Sequence, residues 1–154
     1  MDILNNIEWY FGEPKYAKIR KTYKVITKKQ LKTVVFDDSV KENIKFCLPL
    51  NNNFLFSETR ELPRPITVEQ ILLLISNFYN EPLKEENMDK AFEENEEWKE
   101  EIIERLFDVS ELTNYHVFED TCTPDFCGLE LSEETGEYFV NIGPEKLNIK
   151  KLKF

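Results

Sequence analysis

Only four glycines occur in the 154 residues. None forms the Gly-rich turn that cradles a phosphate, and neither a helix-borne zinc pair nor a serine nucleophile elbow is present. The common nucleotide-binding and hydrolase signatures are therefore absent, which lowers the expectation of catalysis. Cysteine is scarce as well. Three thiols, Cys47, Cys122 and Cys127, are an odd number, which argues against a disulfide framework and for a reducing compartment. No apolar run approaches the roughly 20 residues of a membrane span. Met1 to Tyr10 has neither a basic start nor an unbroken apolar stretch, so no signal peptide is expected and the reading is cytoplasmic.

What remains is enough for a globular core. Hydrophobic residues make up 41% of the chain and include 12 Phe, 6 Tyr and 2 Trp, and this length is most simply one domain. We expect a single domain over 1–154, with a loosely held basic tail at 146–154. The best-specified element lies at Pro65 to Leu83. Thr67 and Gln70 have capping-box spacing, Ile66 and Ile71 form a hydrophobic staple, and Pro82 forces an exit. Asn80 suits a left-handed C-terminal cap. Between these signals Val68, Ile71, Leu72, Leu73, Leu74, Ile75, Phe78 and Tyr79 leave almost no polar face, so the spacing predicts a central, covered helix.

Around it, Tyr23–Thr27 and Leu31–Phe36 are rich in β-branched and aromatic residues and are read as a hairpin closed by Lys28-Lys29-Gln30. Ile44–Leu50 adds a strand. Cys127–Leu131 and Glu137–Gly143, separated by a turn that includes Gly136, form a second hairpin, with Leu129 and Leu131 on one face and Tyr138, Val140 and Ile142 matching it. Leu83–Phe107 carries apolar residues at helical spacing among many carboxylates, an acidic amphipathic helix. The fold class expected is α+β, a mainly antiparallel sheet packed against two central helices.

Charge is divided along the chain. The net charge is −10, yet Met1–Leu50 holds ten Lys and Arg against six Asp and Glu, whereas Glu81–Phe154 holds eight against twenty-one. From Lys15 to Lys32 there are eight basic residues and no acid, interleaved with Tyr16 and Tyr23. Such a row suits phosphates and bases, and Lys18, Arg20, Lys21 and Lys24 are the candidate nucleic-acid contacts. The bland alternative, lysines guarding an edge strand or facing the acidic helix, is preferred because the molecule as a whole repels nucleic acid. On the acidic helix, Glu93, Glu94, Glu97, Trp98 and Glu101 form the candidate surface for a protein partner of basic character, or for self-association. His116, Cys122 and Cys127 are zinc-type or thiol–imidazole residues, but a second close ligand pair is missing, so no cofactor is expected.

The Pro65–Leu83 stretch also resembles a segment of small proteins of giant DNA viruses of the mimivirus type, in which a Thr-containing start leads into an apolar helix ending in Asn-Phe-Tyr. The resemblance spans about an eighth of the chain and implies a shared core and a viral origin, in host cytoplasm or virion. It carries no catalytic residue. The expectation is a non-enzymatic interaction protein, with nucleic-acid binding and a zinc or cysteine site as alternatives.

Overall fold

The computed structural model describes residues 2–50, 57–94, 100, 112–115 and 125–143. The chain opens with a helical turn α1 (Asp2–Asn5), a short strand β1 (Ile7–Glu8), a 3₁₀ turn (Pro14–Tyr16), β2 (Lys18–Ile19) and a second helical turn α2 (Lys28–Leu31). Next come β3 (Val34–Phe36), β4 (Ile44–Pro49), β5 (Ser57–Leu62) and β6 (Ile66–Thr67), then helices α3 (Val68–Asn80) and α4 (Glu85–Glu94), and finally β7 (Asp125–Leu131) and β8 (Tyr138–Gly143). This is an α+β fold. Its main sheet has the order β5-β4-β8-β7 and is antiparallel except where β4 and β8 run parallel.

Helix α3 begins as its sequence dictates. The Thr67 hydroxyl accepts from the Gln70 amide at 3.2 Å, and the Gln70 side chain accepts from the Thr67 amide at 2.8 Å, so two backbone donors are satisfied reciprocally. Ile66 and Ile71 are both fully buried, as a staple requires. The C-terminal end differs from expectation. Asn80 stays helical and donates its side-chain amide to the Ser76 carbonyl at 2.8 Å, and Glu81 leaves the helix in an extended conformation.

The main sheet and α3 contribute to one buried cluster. Phe46 and Leu48 of β4, Leu129 of β7, and Val140 and Ile142 of β8 belong to the same buried cluster as Val68, Ile71, Leu72, Ile75, Phe78 and Tyr79. Each such fully buried side chain stabilises the fold by about 1.5–3 kcal/mol. The Tyr79 hydroxyl, inside this cluster, donates to the Pro49 carbonyl at 2.8 Å. The β7–β8 hairpin forms as expected, with Leu129 opposite Val140 and Leu131 opposite Tyr138, and the register shifts between Phe126 and Leu129. Gly128, in the shifted stretch, has φ +98°, and Asn5 of α1 fills the gap by accepting the Leu129 amide on its Oδ1 at 3.1 Å.

The expected first hairpin does not form. Residues 28–31 coil into α2 because Thr27 and Gln30 make a second capping box. β3 pairs instead with β6, far along the chain, and Lys18 of β2 pairs with Val25. The acidic helix is described as α4 from Glu85 to Glu94, so Leu83 and Lys84 precede it rather than belong to it; Glu100 is helical, and 95–99, 101–107 and the tail 146–154 lie outside the described residues.

Candidate functional site

The N-terminal segment is organised by aromatic burial. β1 and β2 pair antiparallel with Ile7 opposite Ile19 and Glu8 opposite Lys18. Immediately after β1, the Trp9 carbonyl accepts the Phe126 amide at 3.0 Å, which ties this segment to the edge of the main sheet. Phe11 then adopts φ 66°, a left-handed conformation costing a bulky residue about 1–2 kcal/mol. Its ring offsets that cost. It is buried against Trp9 at 5.4 Å, Tyr79 at 5.1 Å and Tyr115 at 6.1 Å between centroids, and its carbonyl accepts from the Ser76 hydroxyl at 3.1 Å.

Turning Phe11 inward leaves its neighbours lining a surface cavity of about 280 Å³ bordered by Glu8, Trp9, Tyr10, Gly12, Tyr16 and Lys18. Trp9 is 2% exposed, so it can form only the inner wall. Its indole N–H is buried and finds no hydrogen-bond partner among the described residues, an arrangement that ordinarily costs about 1–3 kcal/mol. Tyr10 and Tyr16 stand at 51% and 65% exposure. The Tyr10 hydroxyl donates to Glu8 Oε1 at 3.1 Å. Gly12 faces open space, because a Cβ placed on it would meet nothing within 4 Å.

Of the candidate basic residues, Lys18 lines this cavity. Lys18, Lys21 and Lys24, with Lys28, Lys29 and Lys32, are exposed, and none of the six forms an ion pair among the described residues. Lys15 pairs with Glu13 at 3.2 Å and lies over the Tyr16 ring at 5.1 Å; the Glu13 hydrogen bond raises its pKa and keeps it cationic. Arg20 departs from the expectation. It is half-buried, donating Nε to the Ile7 carbonyl and Nη2 to the Phe126 carbonyl, each at 3.0 Å, so its guanidinium joins β1 to β7 and belongs to the scaffold.

Beyond Ile19 the chain turns back through Arg20-Lys21-Thr22-Tyr23, closed by Tyr23 N to Ile19 O at 2.8 Å and Ile19 N to Lys24 O at 2.9 Å. Tyr23 sits in this turn at φ 57° with 76% of its surface exposed. Burial gains nothing for it there. A bulky residue in a left-handed conformation without core contacts marks strain retained at a surface. Among the described residues, the two non-glycine residues with positive φ, Phe11 and Tyr23, thus flank the same segment.

The other candidates are not assembled into a site. Cys47 is buried on β4 with its thiol donating to Ser57 Oγ at 3.2 Å, and burial pushes its pKa up, the opposite of an activated nucleophile. Cys127 is half-buried in β7, whereas His116 and Cys122 lie outside the described residues. Among the described residues no three His, Cys, Asp or Glu side chains come together as a metal site. Of the acidic surface, Glu93 and Glu94 fall on the last turn of α4, while Glu97, Trp98 and Glu101 lie outside the described residues. Among the described residues no helix is long and apolar enough to cross a membrane.

The lysines and Tyr16 and Tyr23 stand out in the sequence as a group, but Tyr10, Trp9 and Gly12 do not. Their only sequence signal is the Trp-Tyr-Phe-Gly run itself. Comparison with protein-family models, with curated proteins and with solved structures gives no match to this chain.

Proposed function

We propose that this chain is a non-catalytic binding protein whose working surface is the N-terminal lysine- and tyrosine-bearing segment, and that its ligand is single-stranded nucleic acid. One observation carries this reading: six lysines between Lys18 and Lys32 stand exposed and without ion-pair partners among the described residues, beside three exposed tyrosines, Tyr10, Tyr16 and Tyr23. A positively charged track with aromatic platforms is the arrangement by which a strand is held without sequence readout, phosphates on the cations and bases stacked on the rings. The acidic remainder disfavours indiscriminate attraction, so binding depends on this local row. A labelled oligonucleotide of about twelve nucleotides, titrated into the intact protein at low salt, tests it. Binding should appear there, weaken steeply as salt rises, and fall strongly in K18A/K21A/K24A. No binding at low salt ends the reading.

A second reading, a basic protein partner, is favoured by the exposure of Glu85, Glu86 and Asp89 on α4. Retention of a basic protein at low but not high salt, lost on replacing these three by Gln or Asn, supports it. If the resemblance to giant-virus proteins reflects ancestry, the ligand in either case belongs to an infected cytoplasm or a virion.

A further inference from the structure

We propose that the cavity between Trp9, Tyr10 and Tyr16 is a subsite for one unstacked nucleobase, held there while the neighbouring lysines take the phosphates on either side. This rests on the single-strand reading above and adds to it a fixed place where a base enters the protein.

Size is the first argument. At about 280 Å³ the cavity lies just below the range of about 300–1,000 Å³ usual for drug-sized ligands. It has room for one planar ring system and not for a larger cofactor. The walls are the second. Three of the six lining residues are aromatic, and a nucleobase of any identity has a π-face to place against them. The third is the pattern of polar groups. Glu8 and Lys18, opposite each other across β1 and β2, both line the cavity and give it an acceptor and a donor. A base edge offers both kinds of group, whereas a purely apolar guest offers neither.

Charge decides between a base and a cationic side chain, the other guest that aromatic walls attract. Lys15 is paired with Glu13 and Arg20 is bound to two main-chain carbonyls, which leaves the exposed Lys18, Lys21 and Lys24 against the single lining carboxylate of Glu8. Lys18 lies on the cavity itself. A lysine- or arginine-bearing peptide would have to approach through like charge, which an anionic strand does not. The backbone supports a built feature as well, since the left-handed Phe11 directs its ring into the core and leaves Gly12 bordering the opening.

Gly12 supplies the test. A side chain there starts from open space and needs no unusual φ, so Gly12→Leu should occupy the cavity without disturbing the fold, checked by an unchanged melting curve. Binding of an oligouridylate twelve-mer is followed by anisotropy in wild type and G12L. Trp9 emission is followed in W98F, where Trp9 is the sole tryptophan. The expected result is weakening of about 5- to 150-fold in G12L, the range for loss of one base–aromatic stack, and quenching of Trp9 that saturates with the anisotropy. Should W98F not fold, Tyr16→Ala and Tyr10→Ala in the wild-type background provide the second reading by anisotropy alone, each weakening binding while Tyr16→Phe and Tyr10→Phe retain it. If the strand binds with full affinity to G12L and Trp9 emission does not change, the base subsite is wrong and the lysine track stands. If an arginine-rich peptide binds and is displaced by G12L while the oligonucleotide does not bind, the cavity is a cation cage and both readings fall. Absence of oligonucleotide binding at low salt also removes both.

Discussion

Gly128→Ala puts the architecture that positions the site under direct test. Gly128 has φ +98°, and a Cβ built on it would lie 2.2 Å from Asn5 Oδ1, 3.1 Å from Asn5 Cγ and 3.3 Å from Asn5 Cα. The side-chain oxygen could swing away, but it would then release the Leu129 amide it now holds at 3.1 Å. The main chain of α1 at Asn5, which the new methyl group would also crowd, has no such freedom. Backbone strain for an L-residue at positive φ costs about 1–2 kcal/mol, and leaving a partly buried amide unpaired costs about 1–3 kcal/mol. Together these predict destabilisation of about 3 kcal/mol, which for a protein of this size lowers the Tm by roughly 6–12 °C. Gly136→Ala is the internal control, because Gly136 has φ +73° but nothing within 4 Å of its added Cβ, so only the strain contribution of about 1–2 kcal/mol applies. Urea unfolding of both variants, with N5A and N5A/G128A completing a cycle, measures the difference. The N5A/G128A double variant should be less unstable than the sum of its parts, because part of the clash is with the missing side chain. If G128A proves as mild as G136A, the plug formed by Asn5 is not holding the bulge, and α1 does not anchor the segment that carries Trp9.

Other outcomes follow from single interactions. Thr67→Ala removes the reciprocal cap of α3 and should cost about 1 kcal/mol in urea unfolding; T27A, capping only one turn, should cost less. Arg20→Ala breaks two hydrogen bonds to the Ile7 and Phe126 carbonyls and should cost about 2–3 kcal/mol in the same assay, with Arg20→Lys a poor rescue because one ammonium cannot span both; K18A, K21A and K24A should unfold like wild type. Tyr79 is wholly buried, and burial raises its pKa well above 10. Its neutral form is kept in the fold and lost in the unfolded chain, so this contribution is complete below about pH 10 and declines above it, by up to roughly 1.4 kcal/mol per pH unit. Unfolding measured from pH 9 to 11 should show a shallower decline in Y79F, from a starting stability already lowered by the unpaired Pro49 carbonyl.

These interactions also separate the parts of the molecule that are readable from the chain from those that are not. Helix α3 is legible because its cap, staple, apolar body and terminating proline are all local signals within about twenty residues. The same Thr-x-x-Gln cap stands at Thr27, but it begins only one turn, and Lys28-Lys29-Gln30 offers no apolar period to mark a helix. Local pattern alone therefore makes it look like a hairpin loop. The pairing of β3 with β6 joins residues about thirty apart, and no short-range pattern specifies it. The last hairpin is legible from alternation, yet the shift at Gly128 depends on Asn5, more than a hundred residues away.

The candidate site divides the same way. Its lysines, Tyr16 and Tyr23 are close together in sequence and can be grouped by composition. The cavity depends on the left-handed turn at Phe11 and on the Trp9–Phe126 link, which are tertiary facts. Arg20 groups with its neighbours by charge, although a lone arginine among lysines is the residue type suited to bridging two carbonyls with a rigid fork.

The salt dependence of single-strand binding tests the central claim most directly. Affinity of the intact protein for an oligouridylate, measured across a series of salt concentrations, should fall linearly on a log–log scale, and the slope should become shallower by about 2 in K18A/K21A/K24A, roughly 0.7 for each phosphate contact removed. A slope that the triple substitution leaves unchanged, or no binding at the lowest salt, contradicts the account.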